Sequence, residues 1–229
     1  MQTLAKKQTA KLNLARQKLS TEKRILSLEK QRQLDGMLIE AAKKGNAKRI
    51  ERLLKAGANV NAIETERSSR TKGWTVLMFA TANKHEKACR LLIENGADVN
   101  ARIESEILRH KTALMLAANN GYIEICKLLI ENGADVNARD DNTRTVLMEA
   151  VYGGYAETCR LLIRKGADID AKIEDMGSVY KGWTALIRAR RQEHGEIIEL
   201  LERMESFSKL MGKESFKQFM LNFERCASQ

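Results

Sequence analysis

The chain of 229 residues contains no proline and few aromatic residues, which make up 5% of it. Because proline is the residue that most often breaks helices, its absence permits long helical stretches throughout. No run of 18 apolar residues occurs, so we expect no membrane-spanning helix. The N-terminal region lacks an apolar core of signal-peptide length, so we also expect no secretion by that route.

Histidine and cysteine are too sparse and too scattered for a metal centre. The three histidines lie far apart, and the four cysteines form no Cys-x-x-Cys pair. We therefore predict no metal site and no cofactor, and reduced thiols in a cytoplasmic protein. Three cysteines share one repeated position, where a buried thiol serves as a small apolar side chain. These are Cys89, Cys126 and Cys159.

The net charge of +10 is concentrated at the N-terminal end. Residues 1–35 hold nine Lys or Arg against three acids, whereas residues 36–204 hold 27 against 24. The first 21 residues carry five basic side chains and no acid, as a mitochondrial presequence does. Because Arg16 is the one arginine among them, we favour a solvated basic helix over that alternative.

Two signatures recur in register along residues 36–204. The first signature has five positions: Gly, Ala, an Asp or Asn, an apolar residue, and a second Asn or Asp. Its copies, spaced by 39, 37 and 33 residues, begin at Gly57, Gly96, Gly133 and Gly166. The second signature has six positions: Thr, any residue, Leu, a Met or Ile, any residue, and Ala. Its copies, spaced by 37, 33 and 39 residues, begin at Thr75, Thr112, Thr145 and Thr184. The shared minimum of 33 indicates one unit with variable insertions.

Each unit can be built as a pair of helices. Threonine is a good N-cap, because its hydroxyl accepts from a free backbone N–H of the first helical turn. The glycine after the second helix suits the left-handed conformation in which helices often end. Such a pair cannot bury its apolar face alone, so stacked neighbours must bury it together.

This pattern resembles the ankyrin repeat, and the segment from Thr112 to Ala138 matches it best. Proline and histidine of the family motif are replaced here by Val or Ala and by Met or Ile. The resemblance implies an all-α solenoid of about five helix-turn-helix units with β-turn fingers. The expected units are residues 36–62, 73–101, 110–138, 143–171 and 182–204. The first lacks the Thr-x-Leu start, as a capping repeat does.

The regions outside the array are expected to be helical. Residues 1–35 form the basic helix, which either covers the first unit or contacts a polyanion. Residues 205–229 form a Phe-rich amphipathic helix, in which Phe216, Phe219, Met220 and Phe223 share one face. We favour closure of the last repeat by this helix, with docking onto a partner as the alternative.

In the ankyrin family, partners usually meet the fingers and the first helices, which together form a concave face. The resemblance therefore assigns partner binding to the residue before each Thr, to the residue before each motif Ala, and to a tyrosine one turn further. These residues are Trp74, Lys111, Arg144 and Trp183, then Phe79, Leu116, Glu149 and Arg188, and finally Tyr152. Tryptophan is enriched at interface hot spots, although local packing of the two indoles is equally open.

Three fingers are longer than the repeat requires, at residues 63–72, 102–111 and 172–181. Their apolar residues either pack against adjacent fingers, which we favour, or recognise a partner. They are Ile103, Ile107, Leu108, Ile173, Met176, Val179 and Tyr180.

No phosphate-binding glycine loop and no Ser/His/Asp set stands apart from the repeats, so we predict no catalytic residues and no enzyme. The prediction is a monomeric scaffold or adaptor that binds another protein. The alternatives are a nucleic-acid- or polyanion-associated protein that uses the basic arm, and a host-directed effector of the ankyrin type.

Overall fold

The computed structural model describes residues 2–66, 71–103, 110–175 and 179–212, together with residues 215, 216, 218, 219 and 222, and side chains from residue 20 onward. Ten helices occupy these ranges, and no strand does. They are α1 (Gln2–Lys43), α2 (Ala47–Lys55), α3 (Val76–Ala82), α4 (Glu86–Glu94), α5 (Ala113–Asn119), α6 (Ile123–Glu131), α7 (Val146–Gly153), α8 (Ala156–Arg164), α9 (Ala185–Arg191) and α10 (Gly195–Met211).

The helices form two layers, as the predicted solenoid requires. The first helices of the units contact one another in sequence (α1, α3, α5, α7 and α9), and so do the second helices (α2, α4, α6, α8 and α10). One continuous apolar core runs between the layers. It includes the three repeated cysteines, which are fully buried, as predicted.

The local signals predicted from the sequence are confirmed at both helix ends. The hydroxyls of Thr75, Thr112, Thr145 and Thr184 each accept from the backbone N–H three residues on. The glycines that follow the second helices adopt the left-handed conformation, with φ between 86° and 94°. The β-turn fingers are present as well, and antiparallel bridges close three of them at Thr75, Thr112 and Thr145.

A ladder of asparagine side chains joins successive units. The carboxamide of Asn100 accepts from Asp135 N at 2.9 Å and donates to Gly133 O at 2.9 Å. Asn61 and Asn137 make the same two contacts with the units that follow them. Each asparagine therefore fixes the turn of the next unit through one acceptor and one donor.

Helix α1 supplies the missing first rung of this ladder. Asp35 Oδ1 accepts from Asn59 N at 2.8 Å, and Gln31 Nε2 donates to Gly57 O at 3.0 Å. The carboxylate of Asp35 thus replaces the acceptor oxygen of the asparagine carboxamide, and the amide nitrogen of Gln31 replaces its donor. The first unit therefore receives, from the region predicted as a separate arm, the bonds that other units receive from their predecessor.

The predicted boundaries at 35/36 and 204/205 both lie inside continuous helices. Helix α1 passes through Gly36 without interruption, because glycine inside a helix costs only about 1 kcal/mol and packing of the following turn offsets it. Helix α10 likewise runs on to Met211 and ends at Gly212. Phe216 is buried, Phe219 is half exposed, and Met220 and Phe223 lie outside the described residues.

Candidate protein-binding face

The fingers are tied to one another by arginines that occupy one repeat position. The guanidinium of Arg102 donates to the carbonyl of Arg139, and that of Arg139 donates to the carbonyl of Lys172 at 3.1 Å. The hydroxyl of Thr143 also accepts from Glu174 N at 2.6 Å. These contacts join the second, third and fourth fingers into one edge.

At the first finger, at one end of the array, Trp74 covers Phe79. Their ring centroids lie 5.2 Å apart, and Lys43 Nζ lies 4.7 Å from the Phe79 centroid. Phe79 is only 3% exposed as a result, whereas the sequence placed it on the contact surface. The indole and the ammonium of Lys43 form the surface here, and Phe79 supports them from below.

At the other end, Trp183 packs against Tyr180 in an edge-to-face contact, with ring centroids 4.8 Å apart. Ile173 N donates to Trp183 O at 3.0 Å, and Ile173 is 2% exposed. Ile103 is fully buried in the equivalent finger. These two finger residues therefore pack inside the protein, which is the alternative that we favoured from the sequence. Val179 is exposed instead, and Ile107, Leu108 and Met176 lie outside the described residues.

Between the two tryptophans, Glu149 lies beneath the surface. It is 1% exposed, and its carboxylate contacts Lys111 Nζ at 2.6 Å, Asn119 Nδ2 at 3.1 Å and Arg144 Nη1 at 3.7 Å. The sequence placed Glu149 on the contact surface, but these three donors surround it. Lys111 and Arg144 remain partly exposed above Glu149. The buried carboxylate therefore fixes the positions of two cations at the surface.

Asp140 is a second buried carboxylate that the sequence did not single out. Its Oδ1 accepts from the backbone N–H groups of Asn142 and Arg144, at 3.0 and 2.9 Å, and Oδ2 lies 3.1 Å from Arg144 Nε. Burial raises the pKa of Asp140, and the N–H and charge of Arg144 oppose that rise. The Asp-Asp-Asn-Thr run of the shortest finger is typical of such a turn and was the available signal.

The remaining predicted contacts cluster on helices α5, α7 and α9. Leu116 is half buried, and Tyr152 is 54% exposed. The Tyr152 ring lies 4.9 Å from Arg188 Cζ, and Arg188 is 7% exposed. The structure thus brings Trp74, Lys111, Leu116, Arg144, Tyr152 and Trp183 to or near the surface, with Phe79, Glu149 and Arg188 beneath. We call this set of nine residues the finger-helix face.

The repeated cysteines are buried in the core and are not exposed at this face. Burial raises the pKa of Cys89 to about 11 and those of Cys126 and Cys159 to about 12. No group of three or more His, Cys, Asp or Glu within the described ranges is arranged to hold a metal ion. Within the same ranges, no helix has the length and apolar character needed to cross a bilayer.

Stacked helix pairs, capped by threonine and joined by side-chain ladders, define a helical-repeat protein whose surface is built from repeated positions. A family model described as ankyrin repeats in three copies matches residues 8–103 and 103–173, which is more than half of the chain. The chain therefore belongs to the ankyrin repeat family, as its motifs predicted.

Two curated relatives share part of the sequence. A cattle protein named mitochondrial disaggregase is 39% identical over 66 residues, which cover 29% of this chain and 9% of that protein. The human protein of the same name is 39% identical over 66 residues, 29% of this chain and 8% of that protein. The chain thus matches less than a tenth of the length of either relative.

Proposed function

We propose that this chain is a non-catalytic adaptor that holds another protein against the finger-helix face. Ankyrin repeats generally mediate protein–protein interaction. One observation supports this location: Trp74, Leu116, Tyr152 and Trp183, each from a different unit, are partly exposed beside a buried charged network. Aromatic anchors beside partly exposed Lys and Arg are the composition of a protein-binding surface.

Rigidity of the face supports the same function. The second, third and fourth fingers are joined through Arg102 and Arg139, and the buried Glu149 holds Lys111 and Arg144 in place. A surface that is ordered before binding loses less conformational entropy when a partner docks. The chain would act as a monomer in the cytoplasm, where thiols stay reduced.

The test is capture of partners from a lysate on immobilised chain, with identification by mass spectrometry. Tyr152→Ser alone, and Trp74→Ala combined with Trp183→Ala, should reduce capture of the main partner at least ten-fold. Leu210→Ala is the matched control, because Leu210 is 83% exposed on α10, away from the face. Full capture by both face variants, with unchanged helical circular dichroism, would refute this placement of the site.

The name of the relatives suggests a connection with protein aggregates. We propose that the shared 66 residues correspond to protein holding and not to the disaggregase reaction, because the match covers so little of those proteins. A mitochondrial location is the alternative to the cytoplasm that their name raises. Imaging of the chain with a C-terminal fluorescent tag distinguishes the two compartments.

The basic arm supports a second candidate function, contact with nucleic acid. Residues 20–30 of α1 are all exposed, and residues 1–35 carry nine Lys or Arg. Deletion of residues 1–30 retains Gln31 and Asp35, and with them the first rung of the ladder. Unchanged retention of RNA or DNA by this deletion at moderate salt would reject the arm as a binding element.

A further inference from the structure

Arg188 is a buried cation whose guanidinium has no carboxylate partner among the described residues. Its side chain lies in α9, it is 7% exposed, and its Nη1 atom is buried without a hydrogen-bond acceptor. A buried charge without a partner is costly, because it loses its hydration and gains no ion pair in return. Such a group is kept at a cost in stability, which points to a use outside folding.

The nearest acid makes no hydrogen bond with Arg188. Glu149 attracts Arg188 electrostatically, but its Oε2 accepts from Lys111 at 2.6 Å and from Asn119 at 3.1 Å, and its Oε1 lies 3.7 Å from Arg144 Nη1 without a hydrogen bond. Burial lowers the pKa of Arg188, and the charge of Glu149 opposes that change. The second acid of the network, Asp140, is paired with Arg144. Three cations and two carboxylates therefore meet here, which leaves one positive charge uncompensated.

The surroundings of Arg188 can admit a ligand. The Tyr152 ring covers one face of the guanidinium at 4.9 Å and is itself 54% exposed. Rotation of this ring gives up little buried area and uncovers the guanidinium. One helical turn beyond Arg188, Gln192 Oε1 is also buried without a donor. The Gln192 carboxamide in turn donates to the carbonyl of Tyr152 at 3.4 Å, so the two buried polar groups flank the same tyrosine.

We propose that the Arg188 guanidinium binds a carboxylate of the partner, an Asp or Glu side chain in an acidic peptide segment seated against Tyr152. Guanidinium and carboxylate form paired, charge-assisted hydrogen bonds of fixed geometry. One uncompensated positive charge matches a single carboxylate, whereas the successive phosphates of a nucleic acid would bring several negative charges to this place. The proposal rests on the proposed function, since it specifies which chemistry the face recognises.

Selection of a random peptide library displayed on phage, against the full chain, tests the proposal. The selected peptides should share an acidic position. A selected peptide should bind at least ten-fold more weakly when that residue is changed from Glu to Gln. Arg188→Gln should weaken the acidic peptide similarly, yet bind the acidic and amide peptides equally. This loss of discrimination is not expected from a purely structural role.

Two further variants keep the result interpretable. Arg164→Gln makes the same chemical change at an exposed position of α8 and should leave affinity unchanged. If Arg188→Gln fails to fold, Arg188→Lys retains the charge but loses the paired geometry, and should reduce the preference for the acidic peptide.

The outcomes separate the two proposals. Peptides that depend on Trp74, Trp183 or Tyr152 but share no acidic position would overturn the carboxylate site and leave the proposed function standing. Binding of a labelled oligonucleotide that is lost in Arg188→Gln would overturn the peptide as occupant. A selection that yields no peptide dependent on any residue of the face would overturn both.

Discussion

The ring of Tyr155 lies over Gly121 so closely that a Cβ at Gly121 would be 2.3 Å from Tyr155 Cδ1. His85 covers Gly45 and His194 covers Gly154 in the same way, and Tyr122 lies beside Lys84. A ring at the start of each second helix from α4 to α10 therefore packs on the helix turn of the preceding unit. This row of rings joins the units on the side away from the fingers.

Gly121→Ala should destabilise the protein more than Gly133→Ala. Both residues have positive φ, 67° and 87°, but a Cβ at Gly133 meets nothing within 4 Å. We expect a loss of about 1 kcal/mol for Gly133→Ala from backbone strain alone. Gly121→Ala should lose about 1–3 kcal/mol more, because the Tyr155 ring must move. Urea unfolding of both variants measures the difference, and equal losses would contradict the ring contact.

Asn100→Ala should lower the free energy of unfolding by about 1 kcal/mol, because two hydrogen bonds to the next unit are lost and water partly replaces them. Amide exchange at Asp135 should accelerate in this variant. Asn120→Ala is the control, since Asn120 bonds within its own unit, to Leu116 O. Unaltered exchange at Asp135 would show that the ladder does not hold that turn.

Lys111→Met should destabilise the protein by about 1–3 kcal/mol, because the buried Glu149 carboxylate loses its nearest cation. Combining it with Glu149→Leu should recover most of that loss, because Leu116 shows that the equivalent position accepts leucine. Thermal or urea unfolding of the single and double variants completes the test. A double variant as unstable as Lys111→Met would argue against a buried ion pair.

Asp140 should make an identifiable contribution to the pH dependence of stability. Its pKa is raised by burial above 3.8, so the native state holds the proton more tightly than the unfolded chain. Stability of the protein relative to Asp140→Asn should therefore fall as pH rises from below 3.8 through the raised pKa, and then stay constant. Urea unfolding of both proteins across this range measures it. The opposite slope would mean that Arg144 outweighs burial.

The three repeated thiols should react only when the protein unfolds. Burial raises their pKa values to about 11 or 12, so almost no thiolate exists at pH 8, and the thiols are inaccessible. Cys226→Ser removes the fourth thiol. In that variant we expect no labelling by a disulfide reagent until guanidinium is added, and rapid native labelling would refute burial.

The repeat and its caps were predictable because each rests on a local preference. Threonine caps and left-handed glycines depend on a few neighbouring atoms, so Thr75 and Gly57 can be interpreted from sequence alone. The burial of Phe79 and Glu149 depends on Trp74, Lys43, Lys111 and Arg144, which come from other units or fingers. Repeat position identifies the face to which a residue belongs, but not its depth beneath that face.

Continuity of α1 was missed for a different reason. Asp35 and Gly36 at the boundary are residue types that often cap or interrupt a helix, and the role of Gln31 and Asp35 depends on atoms about 25 residues away. One feature of the sequence could have indicated this role. No Gly-Ala-Asp-Val-Asn run precedes the first unit, so the hydrogen bonds of its turn had to come from another segment.

The asparagine ladder has a consequence for how arrays meet end to end. Its first rung is already occupied by Gln31 and Asp35, so another copy cannot supply it. The last rung comes from Asn137: the fourth unit carries Asp170 at the next equivalent position, and a carboxylate has no N–H to donate to a following glycine carbonyl. The fifth unit has no Gly-Ala-Asp-Val-Asn run from which an asparagine could reach a second copy, so the ladder does not continue from one array into another.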